Sequence, residues 1–231
     1  MRFSSDQIQK IGKEISSKVD GKTLFDEFSR GRYSTDASVY QIKPLGVVLP
    51  KDTNDVLNLM EYSQKNSIPL LARGGGSSQC GQTVGESVVL DYSKHQNKIL
   101  ELNVEEKYVW VQPGVVLDHL NSFLRPYGLW FPVDVSTSSR ATIGGMSANN
   151  SCGSRSLYYG NMVHNVLAIE AILDDGSLHT FDQINKNYLT TTNNQDRFFK
   201  IIDKFLNLRQ KVSKDIDENW PTTQRRVGGY N

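Results

Sequence analysis

Apolar residues recur at helical spacing in four stretches of the chain. In the first, positions 8, 11, 15 and 19 are apolar and the residues between them are mostly polar. Ser4 and Gln7 have the spacing of a capping box, so the sequence predicts an amphipathic helix over residues 5–19. Three further helices are predicted after Asp52 or Thr53, from Val116 onward, and over 198–212.

Short apolar runs between turn-forming residues predict seven strands. They cover residues 45–49, 70–73, 88–91, 99–102, 108–111, 166–173 and 178–181. The first two strands flank a helix, which favours a right-handed parallel crossover over 45–76. The last four strands are predicted to form two antiparallel hairpins. Residues 22–44 mix turn formers with aromatic residues and are predicted to be an irregular lead-in, in which Tyr33–Asp36 is open to a structural or a ligand-facing role.

The stretch from Leu70 to Val84 joins a predicted buried strand to a loop of small residues. Gly74–Gly76 lack every Cβ and permit positive φ, so successive N–H groups can converge into a nest that binds an anion. Ser77 and Ser78 add hydroxyl donors. The stretch therefore predicts a phosphate or pyrophosphate site, with a flexible surface loop as the alternative. It fits neither the P-loop nor the G-x-G-x-x-G pattern.

A second loop of small residues extends from Pro132 to Gly160. It has no long apolar period, and its small side chains would let the backbone lie against a flat ligand. Long loops in compact domains are more often functional than idle. The sequence therefore predicts that this loop, like the first one, lies close to a ligand.

Composition limits the kinds of binding partner and the cellular compartment that the sequence predicts. The 231 residues include 26 Lys and Arg against 25 Asp and Glu, which argues against nucleic-acid binding. Cys80 and Cys152 have no His or Cys nearby at metal-ligand spacing, which favours a reducing, intracellular setting over a disulfide. No signal-peptide pattern and no apolar run near ~20 residues occurs, so the sequence predicts a cytoplasmic protein without a transmembrane segment.

Several motifs follow one another in a fixed order: Val47-Val48-x-Pro50, Pro69-x-x-x-Arg73-Gly74-Gly75-Gly76-Ser77-Ser78, Val111-x-Pro113-Gly114, Ala141-Thr142-Ile143-Gly144-Gly145, Asn150-x-x-Gly153, Tyr159-Gly160, Val166 and Asp175-Gly176. Together they resemble the flavin-binding domain of the vanillyl-alcohol oxidase/p-cresol methylhydroxylase superfamily, in particular its FAD-linked 2-hydroxyacid dehydrogenases. The stretches 148–153 and Arg155-Ser156-Leu157 and the terminal motif 225–231 are most similar to large members that fuse this domain to a substrate domain and an iron–sulfur region.

The resemblance implies an α+β fold with two sublobes, a small mixed sheet and an antiparallel sheet flanked by helices. On this basis we expect an N-terminal helix and lead-in over 1–41, sublobe 1 over 42–100 and sublobe 2 over 101–213. Residues 214–231 would lead to a substrate domain that this chain lacks.

The resemblance also implies FAD as cofactor and assigns residues to it. Arg73, Gly74, Gly75, Gly76, Ser77 and Ser78 would hold the pyrophosphate, chiefly through backbone N–H groups. Val133, Asp134, Thr137, Thr142, Ile143, Gly144 and Gly145 would line the path to the isoalloxazine, and Val166 and Ile169 would meet the adenine end, although alternating apolar residues in a strand are usually core. No histidine occurs in residues 74–83, which are called the glycine loop from here on, so the flavin is expected to be non-covalent.

Three functions remain open at this point. The leading one is the FAD-binding domain of a dehydrogenase for D-lactate, glycolate or D-2-hydroxyglutarate, with an iron–sulfur centre as electron acceptor and attachment to the inner face of a membrane left open. The others are a non-catalytic flavin- or nucleotide-binding module and a reductase of the peptidoglycan-precursor type. The four histidines are scattered, so no catalytic residue is assigned.

Overall fold

The computed structural model describes residues 3–184 and 197–223. These residues form two compact units, one extending to Asn165 and the other beginning at Val166. The sublobe boundary expected near residue 100 stays a prediction. The helices and strands of the first unit are α1 (Ser5–Ser16), β1 (Lys22–Leu24), α2 (Glu27–Arg32), β2 (Gly46–Leu49), α3 (Thr53–Asn66), β3 (Leu70–Arg73), β4 (Val88–Asp91), β5 (Ile99–Asn103), β6 (Tyr108–Val111), α4 (Leu117–Leu124), α5 (Ile143–Ala148), α6 (Ser156–Tyr159) and α7 (Met162–Asn165).

Helix boundaries in the first unit follow local capping chemistry. The predicted capping box begins α1, since the Ser4 hydroxyl accepts from the Gln7 N–H and the Gln7 side chain accepts from the Ser4 N–H. The side chain of Asp52 caps α3, and Ser67 ends that helix in the left-handed conformation, with φ 53°. After α4, a short 3-10 helix over Arg125–Tyr127 ends at Gly128, as predicted.

Four strands form a mixed sheet in the order β1-β2-β4-β3. Strand β4 is parallel to both of its neighbours, and β1 is antiparallel to β2. The predicted parallel relation of 45–49 and 70–73 is confirmed, although β4 lies between these strands. The four residues of β2 and the four of β4 are all buried, as expected for the middle of a sheet covered on both faces.

An apolar cluster lies between α4 and the β5–β6 hairpin. Val115, Leu120 and Leu124 are buried, and side chains of both strands pack against them. The hairpin is antiparallel, as predicted, with a register irregularity between Ile99 and Glu101. This cluster anchors Ile143, which places the start of α5 and the second loop.

Two sequence predictions about irregular segments are wrong. The lead-in over 22–44 contains β1, which extends the mixed sheet, and α2, which Asp26 caps. The long second loop contains the short helices α5 and α6, and α7 follows it directly. None of them spans enough residues to show a clear apolar period, so helical periodicity could not reveal them.

The second unit contains the strands β7 (Ile169–Ile172) and β8 (Leu178–Phe181) and the helix α8 (Arg197–Asn219). The strands form the predicted antiparallel hairpin, with Gly176 at φ 82° in its turn. Arg197 pairs with Asp174 and Asp175, while the Phe198 ring stacks on His179 at 4.4 Å between centroids. The helix continues seven residues beyond the predicted end at Val212.

The terminal motif 225–231 used for the resemblance lies outside the described residues. Within the described ranges, no helix combines the length and the apolar character needed to cross a bilayer.

Candidate functional site

The glycine loop begins where β3 ends, as the sequence predicts. Strands β2, β4 and β3 are parallel, so their carboxyl ends meet at one edge of the sheet. Arg73 is the last residue of β3 and pairs with Asp91, the last residue of β4. Ligands of open α/β sheets bind at such an edge.

The backbone N–H groups of the glycine loop are available to a ligand. Within the described chain, none of the five N–H groups from Gly74 to Ser78 donates a hydrogen bond to another protein group. Gly76 adopts φ 63° and Gly81 adopts φ 73°, whereas Gly74 and Gly75 remain at ordinary φ. Only Gly76 in the triplet therefore needs the conformational freedom of glycine. Unpaired N–H groups next to a left-handed residue suit an anion-binding nest.

Gly74 and Gly75 are explained by close contact with the second loop. A Cβ on Gly74 would lie 2.1 Å from the Thr142 hydroxyl oxygen, and one on Gly75 would lie 2.2 Å from the Arg140 carbonyl oxygen. The two loops therefore lie directly against each other. The sequence analysis explained the lack of side chains at these glycines by the close approach of a ligand. In the structure, the second loop is what approaches Gly74 and Gly75.

Thr142 begins α5 and is almost fully buried. Its side chain accepts from the Gly145 N–H, while the Ile143 and Gly144 N–H groups donate to the carbonyls of Val115 and Pro113 at 2.8 and 2.9 Å. These N–H groups thus hold the second loop in place. A ligand at Thr142–Gly145 would meet carbonyls, Cα–H groups and exposed side-chain atoms instead.

Asp134 fixes the turn that precedes α6. Its carboxylate accepts from the Ser154 hydroxyl at 2.7 Å and from the Arg155 N–H at 3.0 Å. Burial acts to raise the pKa of this carboxyl, but the hydrogen bonds from Ser154 and Arg155 outweigh it and lower the pKa. A Cβ on Gly153 would lie 1.6 Å from the Asp134 carbonyl oxygen, so this turn also requires glycine.

The remaining predicted contacts divide into three groups. Val133 is completely buried, so neither its side chain nor its backbone lies at the surface of the structure. Thr137 is partly exposed, and its carbonyl accepts from the Arg140 and Ala141 N–H groups. Val166 and Ile169 belong to the second unit, where Ile169 is 39% exposed and is therefore not a core residue.

Arg73 binds protein carbonyls through its side chain. Its guanidinium donates to the carbonyls of Thr35 at 2.8 Å, Thr83 at 3.1 Å and Tyr33 at 3.5 Å. Burial lowers the pKa of this guanidinium, while the nearby carboxylates of Asp91 and Asp36 act to raise it. The side chain therefore closes the base of the loop, a role that the motif alone does not reveal.

Gln82 connects the two loops by side-chain hydrogen bonds. It accepts from the Ser78 hydroxyl at 2.6 Å and donates to the Asn149 side chain at 3.1 Å. Sequence analysis missed this residue. The signal that could have revealed it is a polar side chain just after the glycine loop, at a position where the chain must return to the sheet.

The described residues around these two loops do not form a metal site or a nucleophile paired with a base. Among the described residues, no three His, Cys, Asp or Glu side chains are grouped to hold a metal ion. The Nδ1 atom of His164 accepts from the Asn161 N–H at 3.0 Å, which is a structural role. Cys80 is exposed within the glycine loop and Cys152 is partly exposed, and both are free thiols. The arrangement can bind an anionic, partly flat ligand, and it offers no acid–base pair.

Comparison with known proteins agrees with this geometry. The FAD binding domain family matches residues 44–182. The D-2-hydroxyglutarate dehydrogenase of Haemophilus influenzae is 43% identical over 158 residues, which are 66% of this chain and 15% of that protein. The enzyme of the same name from Escherichia coli is 34% identical over 217 residues, which are 91% of this chain and 21% of that protein. The chain thus spans about a fifth or less of the length of these curated relatives.

The fold recurs in solved structures. Alkyldihydroxyacetonephosphate synthase superposes with a TM-score of 0.67 at 20% identity, over 76% of this chain and 38% of that chain. At this identity the likeness concerns the fold alone. It confirms the expected mixed α and β architecture of the p-cresol methylhydroxylase type.

Proposed function

Since this chain belongs to the FAD binding domain family, we propose that it is the flavin-binding part of a longer flavin-dependent oxidoreductase that acts on a D-2-hydroxyacid. The two relatives described above are D-2-hydroxyglutarate dehydrogenases, which makes D-2-hydroxyglutarate the first substrate to test, followed by D-lactate and glycolate. The substrate would be held by a domain outside this chain, because the chain spans only 15% and 21% of those two relatives.

One observation carries the cofactor assignment. The five N–H groups from Gly74 to Ser78 have no partner among the described residues, and they stand at the carboxyl edge of three parallel strands. A pyrophosphate supplies the acceptor oxygens that such a nest requires. FAD carries a pyrophosphate between its two halves, so this loop fits the middle of the cofactor.

The rest of the cofactor would extend along the second loop. We assign the path of the isoalloxazine to Asp134, Thr137 and Thr142–Gly145, with the completely buried Val133 next to Asp134 in the chain. Val166 and Ile169 are assigned to the adenine end, supported by the partial exposure of Ile169. Asp134 would act mainly by holding the 153–156 turn, because its oxygens accept from Ser154 and Arg155.

The bound flavin would supply the redox chemistry by accepting a hydride, while the protein binds and orients it. We assign no catalytic residue to this chain. The base for the substrate hydroxyl would come from the substrate domain, and an iron–sulfur centre is proposed as electron acceptor. A cytoplasmic location, or one peripheral to the inner face of a membrane, stays a prediction.

A second candidate function is a non-catalytic flavin- or nucleotide-binding module completed by another polypeptide. The anion nest favours it equally, because ADP also carries a pyrophosphate. Titration of the purified chain with FAD and with ADP separates flavin binding from plain nucleotide binding. A yellow complex whose visible bands bleach with dithionite supports the proposed function. A chain that takes up ADP and never FAD would contradict it.

A further inference from the structure

The segment Tyr33–Asp36 lies before the residues that match the FAD binding domain family, which begin at 44. It nevertheless contacts both ends of the glycine loop. The Tyr33 and Thr35 carbonyls accept from Arg73 at the start of the loop, and the Asp36 carboxylate accepts from the Thr83 hydroxyl at its end, at 3.1 Å.

The Arg73 guanidinium joins these contacts from inside the loop. It also donates to the Thr83 carbonyl, so one side chain connects the two ends of the loop to each other and to the segment. A Cβ on Gly76 would lie 2.5 Å from a terminal nitrogen of this guanidinium. The loop backbone is thus folded closely onto a positive charge, beneath N–H groups that have no partner in the described chain.

Tyr33 is itself held from below. Its ring lies under the guanidinium at 5.2 Å, and its hydroxyl donates to the Asp91 carboxylate at 2.6 Å. Tyr33 and Asp91 are 9% and 4% exposed, so both ends of this bond are shielded from water. Asp91 ends β4 and pairs in register with Arg73, which connects the segment rigidly to the sheet.

The segment is also fixed within itself. Ser34 is 2% exposed, its hydroxyl donates to the Gly31 carbonyl at 2.7 Å, and its carbonyl accepts from the Ile42 N–H at 2.8 Å. Thr35 and Gln41 form an antiparallel bridge. The carbonyls offered to Arg73 therefore come from a closed, preorganised turn.

We propose that Tyr33–Asp36, Arg73, Asp91 and Thr83 form a clasp that holds the glycine loop in the conformation able to bind the FAD pyrophosphate. The segment that precedes the matched domain is then a working part of the cofactor site, and its members are positioning residues that act through the loop backbone. This inference rests on the proposed function.

The test uses the full chain with two variants of the clasp and two matched controls. Tyr33→Phe removes the hydroxyl that is bonded to Asp91. Its control, Tyr62→Phe, removes a comparable hydroxyl that is bonded to Glu14 at 2.7 Å and does not belong to the clasp. Arg73→Lys replaces the forked donor by a point charge, and Arg125→Lys makes the same change at an exposed position. Each variant is measured without ligand for amide hydrogen exchange at Ile42 and Tyr92, whose N–H groups donate to the clasp carbonyls of Ser34 and Arg73 at 2.8 and 3.1 Å. FAD and ADP affinity and thermal unfolding are measured on the same samples.

The clasp predicts a selective effect. The Ile42 and Tyr92 amides in Tyr33→Phe and Arg73→Lys should exchange about tenfold faster, because the carbonyls that bind them belong to the clasp. FAD and ADP affinity should both fall about tenfold, since both ligands carry the pyrophosphate. The controls should keep wild-type exchange and affinity, even where Tyr62→Phe lowers the unfolding temperature as much as Tyr33→Phe does.

Unchanged exchange of the Ile42 and Tyr92 amides in both clasp variants, or affinity losses no larger than those of the controls at equal loss of thermal stability, would overturn the clasp. Failure of the wild-type chain to bind FAD would instead overturn the proposed function. In that case the exchange measurement still decides whether the segment holds the loop.

Discussion

The carbonyl oxygen of Arg140 lies where a side chain on Gly75 would have to be placed, 2.2 Å from the position of a Cβ. Gly75 is at ordinary φ, so its backbone would tolerate any residue. The Arg140 carbonyl, however, leaves no room for a side chain at this position. The second loop therefore packs directly on the glycine loop. The lack of side chains at Gly74 and Gly75 permits this packing as well as the approach of a ligand.

We expect Gly75→Ala to separate the two loops and to weaken FAD binding. The added methyl group cannot fit at 2.2 Å from a backbone oxygen, so either Arg140 or the glycine loop must move. We predict a loss of unfolding free energy of about 1–3 kcal/mol, the usual cost of overpacking. FAD affinity, measured by fluorescence titration, should fall at least tenfold.

The matched control for that variant is Gly31→Ala. Gly31 lies in α2, and nothing lies within 4 Å of the position of its Cβ. Alanine is the better helix former by roughly 0.8–1.0 kcal/mol in a helix interior, so this change should be neutral or stabilising, with FAD affinity unchanged. Equal behaviour of the two variants would mean that the loops are not seated on each other in solution.

Much of the fold could be predicted from the sequence because the elements that carry it have long or clean apolar patterns. The strands around Val47, Leu71 and Val89 are short runs between turns, and α1 and α3 also carry capping residues. The site location followed from the same logic, since a glycine-rich loop after a parallel strand must lie at the carboxyl edge of the sheet.

The parts that could not be predicted depend on contacts between residues distant in sequence. Nothing local in Arg73 indicates that its guanidinium binds the carbonyls of Thr35 and Thr83. The pairing of β1 with β2 likewise arises from the register of Thr23 with Val48, not from a strong strand pattern in three residues. Short helices such as α6 are set by a single turn, the one that Asp134 stabilises.

Asp134 should make stability depend on pH in the acid range. Its pKa is lowered in the folded chain, so the carboxylate stabilises the fold above its unfolded pKa near ~3.9, and this contribution is lost as pH falls through the folded value. Asp134→Asn should lower the unfolding temperature by roughly 2–4 °C near neutral pH, for about 1 kcal/mol of lost hydrogen bonding.

The pH series supplies the check on that prediction. The difference in unfolding temperature between wild type and Asp134→Asn should shrink as pH is lowered from 6 to 3, because the wild-type carboxylate becomes protonated. Asp20→Asn, at an exposed position, is the control and should follow wild type throughout. A difference that stays constant across the series would show that the charge of Asp134 does not stabilise the turn.

The flavin should be released intact when the protein is denatured. No histidine occurs between Gly74 and Thr83, and the two thiols, Cys80 and Cys152, are not in a pattern associated with cysteinyl attachment. Acid precipitation of the FAD complex should therefore leave the yellow colour in the supernatant. Flavin fluorescence in the denatured protein band on a gel would contradict this, and Cys80→Ser and Cys152→Ser would then identify the attachment.

The isolated chain should bind FAD but oxidise 2-hydroxyacids slowly or not at all. Hydride transfer needs the substrate held over the flavin with a base in reach of its hydroxyl, and such positioning can contribute roughly 7–11 kcal/mol to lowering the barrier. The loops assigned to FAD offer no such base: His164 accepts a backbone N–H, and the Asp134 carboxylate accepts from Ser154 and Arg155. The curated relatives are several times longer, which leaves ample chain to supply the base and the wall of a substrate pocket.

The decisive measurement mixes the FAD-loaded chain with D-2-hydroxyglutarate, D-lactate or glycolate without oxygen and follows the visible flavin bands. We expect no bleaching within minutes, although dithionite should reduce the same sample at once, which shows that the flavin is competent. The reduced flavin should then reoxidise rapidly in air, because no substrate domain would shield its reactive face from oxygen. Bleaching within seconds by any of the three acids would mean that these 231 residues already contain a complete active site, and the assignment of the base to another domain would be wrong.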